Sequence, residues 1–494
     1  MAKVIDSCLF HWNDFEARTD MERLSLVLAN LQDERIVQYL EVMRGNGRDD
    51  YPIRPMWNAV IAGIVFQHLS LASLIRELSR NPSLLAACGF DPVPIQRKPD
   101  IVLVRNAVTG LMEIVHHIPE EPRYLLPNAW NFSRFLRNII TLEETLGMVS
   151  ELTVSLRQLL MDELPGFGTH LGYDGKAIAS YSTGQINQET KQTSDPDADW
   201  GKHETHGIDT KTGKPWTKVK SWFGYGLHII ADTQHEIPVA FEVTPASHSE
   251  QTTLRKLIRT TFGESPALAE RCQDFVADRG LDSAETKAML LDEYQIRPII
   301  DTRQLWQREK NAPGFDPSQP IVRHLFPERD DTIVFTEKGS LHCRCPVTQE
   351  LRNLTFQGHE ADRGTLKFRC PIAASGCGTC QGEKICHQKG GVQPGPFGRV
   401  IRVPLKLDRR IFVPTPYGTA GWERAYDRRS AMERINNRID NVFGYEHHFI
   451  RGIAKMTTRI GLSVAVMMAM ALGHVRAKRL EQIRSLVKPI PIAA

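Results

Sequence analysis

The sequence lacks an apolar run long enough to cross a membrane, which takes roughly 20 residues. The longest apolar stretch, Ile460 to Val475, has 16 residues, and we interpret it as a helix buried in a soluble protein. The N-terminus reaches acidic residues early and has no apolar segment of signal-peptide length. We therefore expect a cytoplasmic protein with no membrane partner.

Strong overall charge is also lacking, because the formal net charge of the 494 residues is only +3. The overall balance therefore does not identify a nucleic-acid-binding protein. Local charge is more informative, since residues 451–494 contain eight Lys and Arg against the single acid Glu481. A basic tail of this kind suits contact with phosphate, although a solvated basic face has the same composition.

Cysteine is scarce except in one segment: six of the nine cysteines lie between Cys343 and Cys386. In a chain without a secretion signal, such clustering favours a metal site or free thiols over disulfides. Cys-x2-Cys is the spacing of zinc ligands. The sequence thus predicts a structural Zn²⁺ held by Cys343, Cys345, Cys377 and Cys380; the alternative is a set of free thiols.

The length favours two or three domains. Residues 1–150 have helical periodicity, and Ser70 stands where an N-cap would begin the second of two neighbouring short helices. We predict a helical N-terminal DNA-binding region. The two helices can form a helix-turn-helix that enters the major groove, or an ordinary helical hairpin.

From about residue 165 the pattern changes to short β-like runs that alternate with helices, and we take 165–301 as the first part of a catalytic core. The predicted strands are THLGYDGKAIAS, YGLHIIAD, PVAFEVTP, DFVADRG and IRPIIDT. The predicted helices run from Glu250 to Thr261 and from Ser283 to Tyr294. Three strands followed by alternating elements indicate an α/β fold with a mixed sheet flanked by helices. The polar stretch from Ser194 to His206 is interpreted as a loop.

Residues 302–414 are too long for a plain loop and contain the cysteine cluster with short β-like pieces. We predict an inserted β-rich, Cys-containing subdomain. Helical character returns in 415–494, which we assign to the C-terminal part of the catalytic core.

Two aspartates belong to predicted strands. Asp174 is inside the first strand run, in GYDGKAI, and Asp278 is at the end of the apolar strand in DFVADRG. Carboxylates at the carboxyl ends of strands face the crevice in which open α/β sheets bind ligands. Either residue alone is equally explained as a turn residue or helix cap.

A third acid lies in the predicted helix AYDRRSAMERINNRID. Tyr426, Arg429 and Glu433 fall on one helical face. A separate apolar stripe of Met432, Ile435 and Ile439 can pack on the sheet. The alternative is a surface ion pair between Arg429 and Glu433.

These three segments resemble the DDE-type transposases of bacterial insertion sequences, whose third segment has the pattern Y-x2-R-x3-E-x6-K. Tyr426, Arg429 and Glu433 match the pattern, but its final Lys is replaced by Asp440, and we expect the nearby Arg434 and Arg438 to supply the charge. GYDGKAI resembles the first-Asp strand of the family and FVADRG the second. The resemblance implies a ribonuclease-H-like core.

The resemblance also implies a function. Asp174, Asp278 and Glu433 would hold Mg²⁺ or Mn²⁺ for two-metal cutting and joining of transposon ends. The expected partners are double-stranded DNA, both terminal inverted repeats and target, and a second copy of the chain in a homodimer on that DNA. Tyr426, Arg429, Arg434 and Arg438 would contact DNA.

Trp306 could stack on a displaced base, or it could be a core residue. Two other functions compete with an active transposase. One is a metal-dependent DNA nuclease on the same core, and the other is a non-catalytic DNA-binding protein derived from a transposase.

Overall fold

The computed structural model describes residues 20–45, 51–93, 100–105, 112–117, 125–190, 192–208, 215–303, 305–310, 312–313, 316, 320–329, 331–372, 380–389 and 398–484. Cys377 and the last ten residues of the basic tail lie outside these ranges.

The N-terminal region is mainly helical, as predicted. Its helices are α1 (Asp20–Asn30), α2 (Glu34–Arg44), α3 (Ile53–Val65), α4 (Leu71–Arg80), α5 (Pro82–Cys88), α6 (Ala129–Leu146) and α7 (Met148–Glu163). The predicted cap is confirmed, since the Ser70 hydroxyl accepts a hydrogen bond from the backbone N–H of Ser73 at 3.2 Å. One part of the prediction is wrong: β1 (Asp100–Arg105) and β2 (Met112–His117) form an antiparallel hairpin within this region.

The centre of the protein is a six-stranded mixed sheet. Its strands are β3 (His170–Ala179), β4 (Asp199–Ile208), β5 (Pro215–Asp232), β6 (Ile237–Pro245), β7 (Asp274–Ala277) and β8 (Arg297–Ile300). The order is β4-β5-β3-β7-β8, and β6 also pairs with β5. β3 is antiparallel to β5 and parallel to β7, which is parallel to β8. The five predicted strands and the mixed α/β class are therefore confirmed.

Strand β4 corrects the prediction of a loop over Ser194 to His206. It pairs antiparallel with the first half of β5 and forms a long two-stranded ribbon. Trp200, Lys202, His203 and Glu204 are all exposed. Because few side chains of this strand are buried, the alternation of apolar and polar residues that marks a half-buried strand is missing.

Helices cover the sheet at its connections. These are α8 (Glu250–Glu264), α9 (Pro266–Arg271) and α10 (Ala284–Ala288). The first confirms the predicted helix from Glu250. The second predicted helix, Ser283 to Tyr294, is present as α10 followed directly by a π-helical turn, Met289–Glu293.

The insertion has its own small core. It contains α11 (Gln307–Lys310), β9 (Arg323–His324), β10 (Ile333–Phe335), β11 (Leu341–Arg344), β12 (Leu351–Asn353), β13 (Thr355–Glu360), β14 (Thr365–Arg369), α12 (Glu383–Lys389) and β15 (Val400–Pro404). Two antiparallel sheets, β12-β11-β10-β9 and β13-β14-β15, enclose a cluster that includes Leu341, Leu366 and Phe412. The described residues of 302–414 thus form mainly β-strands, while the assignment of this segment as a separate subdomain stays a prediction.

The C-terminal part comprises α13 (Ala420–Tyr426), α14 (Ser430–Asn437) and α15 (Ile453–Arg476). Helix α15 packs against α7, α1 and β6, so the N-terminal helices and the sheet share one hydrophobic core. This helix extends beyond the predicted apolar stretch, since α15 has 24 residues and is long and apolar enough to cross a membrane. Most of it is buried inside the protein, as in the core helix of a globular domain.

Candidate active site

Strands β3 and β7 bring two of the predicted carboxylates together. Their parallel register sets Tyr173 beside Ala277, so Asp174 and Asp278 are the next residues on neighbouring strands. Tyr173 is buried and anchors β3 through a hydrogen bond of 2.6 Å between its hydroxyl and Nδ1 of His228. Asp278 is exposed and leads into a short 3₁₀ turn, Arg279–Leu281. The sheet therefore places the two aspartates side by side, Asp174 within β3 and Asp278 directly after β7.

Asp174 lies in a partly desolvated position. Its Oδ1 accepts from the backbone N–H of Gly175 at 3.1 Å, and its Oδ2 accepts from Nδ2 of Asn436 at 2.7 Å. Burial raises the pKa of Asp174 to about 6; the carboxylate of Glu250, and more weakly that of Asp278, add to the rise, and Arg429 opposes it. The site thus concentrates negative charge that a cation would stabilise.

Glu250 is a site residue that the sequence analysis missed. It begins α8, and its carboxylate lies against β3 so closely that a Cβ on Gly175 would be 2.8 Å from Glu250 Oε1. Burial raises the pKa of Glu250, and Asp278 adds to the rise. The available signal was the glycine directly after Asp174, since glycine within a strand often marks a close approach of another group.

The third carboxylate stands on a segment that is less regular than predicted. Helix α13 ends at Tyr426 and α14 starts at Ser430, with a 3₁₀ turn, Asp427–Arg429, between them and a π-helical turn, Arg438–Val442, after them. The predicted helical segment is therefore confirmed, but its hydrogen bonding changes type twice along its length. The predicted apolar stripe is confirmed, because Met432, Ile435 and Ile439 are all buried.

Arg429 connects Glu433 to the two aspartates. Its Nη2 donates to Glu433 Oε1 at 2.8 Å, and its guanidinium is also attracted by Asp278. The Tyr426 ring lies 5.9 Å from the guanidinium carbon. The ion pair between Arg429 and Glu433, which the sequence offered as the alternative to a catalytic role, is thus present. The Glu433 side chain is 61% exposed.

The donor chemistry fits a hard divalent cation, which prefers carboxylate oxygens. The carboxylates of Glu250 and Asp278 both raise the pKa of Asp174, and that of Asp278 also raises the pKa of Glu250; Glu433 joins them through Arg429. Within the described ranges, however, no three His, Cys, Asp or Glu side chains are close enough to hold a metal together.

Comparison with known proteins gives a family match. Residues 192–344 match a family described as a transposase DDE domain. The match supports a DDE-type insertion-sequence transposase. It covers about a third of the chain and includes Asp278 but neither Asp174 nor Glu433, so the assignment of those two depends on the geometry above. No curated protein matches the chain.

Three residues expected to contact DNA are engaged elsewhere in the chain. Trp306 is only 4% exposed, with the Arg323 guanidinium 4.4 Å above its ring and Phe335 at its edge. Arg434 donates from Nε to Glu236 Oε1 at 2.9 Å, and Arg438 donates to the backbone and carboxylate oxygens of the same residue. Trp306 is therefore a buried residue, the alternative that the sequence left open. The two arginines are paired with Glu236 in the folded chain, and their contact with DNA stays a prediction.

The basic tail of the chain is also largely occupied. Arg476 pairs with Glu163 and Arg479 with Glu22. Arg451 donates to the backbone carbonyl of Tyr181 at 2.6 Å. These contacts fasten the C-terminal segment to the protein, so sequence composition overstated the charge that is free for DNA.

The cysteine cluster is arranged differently from the predicted zinc set. Cys343 lies nearest to Cys386, with 3.9 Å between the two sulfur atoms. Cys345 is buried and Cys380 half-buried, while Cys377 lies outside the described residues. Two sulfurs on a tetrahedral zinc stand about 3.8 Å apart, given Zn–S bonds of about 2.3 Å. The structure thus introduces Cys386 as a candidate ligand that the predicted set omitted.

Proposed function

We propose that this protein is a transposase that cuts and joins the ends of a DNA element, with Asp174, Asp278 and Glu433 as its metal-binding carboxylates in a ribonuclease-H-like core. The proposal depends mainly on the adjacency of Asp174 and Asp278 on parallel strands, with Arg429 linking them to Glu433. The expected cations are Mg²⁺ or Mn²⁺, which suit an all-oxygen donor set.

The carboxylates and Arg429 have separate roles in this proposal. Bound divalent cations would supply activation of the attacking oxygen and stabilisation of the leaving oxygen. Asp174 and Asp278 fix the position of those cations because they stand on rigid neighbouring strands. Arg429 can exchange its Glu433 contact for a phosphate, since the planar guanidinium donates two parallel hydrogen bonds to such an anion. Tyr426, beside Arg429, would contact the same backbone.

The partners in this proposal are the two ends of the element and a target duplex, bound by a homodimer in the cytoplasm. The N-terminal helices α3 and α4 would supply DNA contacts, with α4 presented by its Ser70 cap. The predicted structural zinc would stabilise the insertion and take no part in cutting.

A strand-transfer assay tests the proposal. Wild-type protein, Asp278→Asn and Glu433→Gln are incubated with labelled duplex taken from the DNA flanking the coding region, with Mg²⁺ or Mn²⁺. We expect the wild type to nick and join the duplex and both variants to lose these activities while still binding DNA. Glu423→Gln, an exposed acid on α13, is the matched control and should behave as the wild type.

The possible outcomes separate the competing functions. Cutting without joining would identify a nuclease, and binding without either reaction would identify a non-catalytic DNA-binding protein. Joining by Glu433→Gln at the wild-type rate would exclude Glu433 from the metal site and refute the proposal.

A further inference from the structure

The position where the family pattern carries its final Lys is occupied here by an acid that faces a lysine on the central sheet. Asp440 accepts a hydrogen bond through Oδ2 from Nζ of Lys176, and the two side chains form an ion pair. Lys176 lies on β3 two residues after Asp174. Residues two apart in a strand point to the same face of the sheet, so Lys176 is on the side of the sheet that carries Asp174.

The segment from α14 to Val442 runs alongside β3 and keeps this pairing in register. Met432 lies against Gly172, where a Cβ would be 3.2 Å from the Met432 sulfur. Four residues later Asn436 donates to Asp174, and four residues after that Asp440 meets Lys176. Four helical residues rise about 6 Å and two strand residues about 6.7 Å, so the two elements advance together. Asp440 therefore lies on the face of this helical segment that packs against β3, the face that also carries Asn436.

Lys176 is ion-paired but only partly buried. The Lys176 side chain is 17% exposed and that of Asp440 is 23% exposed, so both are within reach of a bound polymer. An ammonium group has three donors, and Asp440 accepts one of them. In contrast, Arg434 and Arg438, the two cations that the sequence suggested for this role, are bound to Glu236.

We propose that Lys176 is the phosphate-contacting cation of this site and that Asp440 holds it in place until DNA binds. The inference rests on the proposed function, since it requires a DNA substrate at Asp174. The cation would lie about 7 Å along the strand from the metal-binding aspartate, where it can reach a phosphate beside the one that is cut. In this chain the cation is thus on the strand, and the acid at the position of the pattern's Lys is its partner.

Fluorescence anisotropy with a labelled short duplex, measured over a series of salt concentrations, tests the inference. We expect Lys176→Met to weaken binding about tenfold, the order of one hydrogen bond to a charged group. The slope of log affinity against log salt should become shallower by about 0.9, the contribution of one phosphate contact. Asp440→Asn should bind at least as tightly as the wild type, because it removes a negative charge and releases the lysine.

Two further variants separate this role from a structural one. Lys176→Arg keeps the charge and should retain most of the affinity and the salt slope. Lys310→Met breaks an ion pair of similar burial with Glu337 in the insertion and should leave the salt slope unchanged. The melting temperature of each variant, measured by circular dichroism, shows whether a loss of binding comes from unfolding.

The results distinguish a role of Lys176 in DNA binding from a structural role. Equal weakening by Lys176→Met and Asp440→Asn, with an unchanged salt slope, would mean that the pair only fastens α14 to β3 and would overturn the inference. Wild-type affinity in Lys176→Met would overturn it as well, while the proposed function would stand as long as the wild type still cut DNA. If the wild type neither bound nor cut DNA, the proposed function itself would fail.

Discussion

Replacing Asp174 by Asn should stabilise the metal-free protein, although it should abolish cutting. In the fold, burial and the carboxylate of Glu250 disfavour the charged form of Asp174, which raises its pKa from 3.8 to about 6. Asn is isosteric and never charged, so it removes this penalty. We therefore expect Asp174→Asn to raise the free energy of unfolding at neutral pH.

The magnitude follows from the two pKa values. The difference between 3.8 and about 6 corresponds to about 3 kcal/mol once the carboxyl group is ionised in both states. The Asn oxygen can accept from only some of the donors that now reach the carboxylate, Gly175 N–H and Asn436 Nδ2, and losing one such bond costs about 1 kcal/mol. The expected net gain is about 2 kcal/mol.

The stability gain of Asp174→Asn should depend on pH. A carboxyl group with a raised pKa in the fold contributes stability that is present below its unfolded pKa and is lost as pH rises through the folded value. The advantage of Asp174→Asn should therefore be small below about pH 4, grow between about pH 4 and pH 6, and stay constant above. Urea unfolding in the presence of a chelator, monitored by tryptophan fluorescence at each pH, measures it.

Two controls sharpen this experiment. Asp162→Asn, an exposed carboxylate on α7, should change stability by less than about 0.5 kcal/mol at any pH. Added Mg²⁺ should stabilise the wild type and not Asp174→Asn, because only the wild type keeps the charged ligand. A variant that is no more stable than the wild type in chelator, or that gains equally from Mg²⁺, would refute the reasoning.

Two further predictions concern the insertion. Trp306→Ala should lower the free energy of unfolding by about 3–5 kcal/mol while the exposed Trp200→Ala changes it by less than about 1 kcal/mol, both by urea unfolding; a stable Trp306→Ala that no longer binds DNA would contradict the buried role. If the thiols bind metal, purified protein should contain about one zinc per chain by atomic emission. Cys386→Ser should lose this zinc and the buried, remote Cys88→Ser should keep it; zinc-free wild type would decide for free thiols.

The sequence by itself was enough to predict the two strands that carry Asp174 and Asp278. The strands around Asp174 and Asp278 bury apolar side chains on the sheet, and such burial leaves a pattern in the local sequence. The same is true of Met432, Ile435 and Ile439, whose spacing fixed the face that Glu433 shares with Arg429. The Ser70 cap was equally readable, because a cap bonds to a residue only three positions away.

Elements without a buried face escaped the sequence analysis. Strand β4 has exposed polar residues on its ribbon, and the hairpin of β1 and β2 lies inside a region of helical periodicity. The continuous helix expected around Glu433 instead contains a 3₁₀ turn and a π-helical turn. Local propensity is too weak to specify such irregularities, which depend on what the segment packs against.

Which side chains contact one another was decided by the tertiary structure alone. Arg434 and Arg438 turn to Glu236, Trp306 enters the core of the insertion, and Cys343 meets Cys386. Glu250 reaches Asp174, and Lys176 meets Asp440, although 264 positions separate the last two. A side chain's periodicity tells which face it occupies, but the nearest opposite charge is set by how distant elements pack. The positions of the candidate acidic residues could therefore be predicted from the sequence, whereas Lys176, the cation that we propose to accompany them, was visible only in the folded chain.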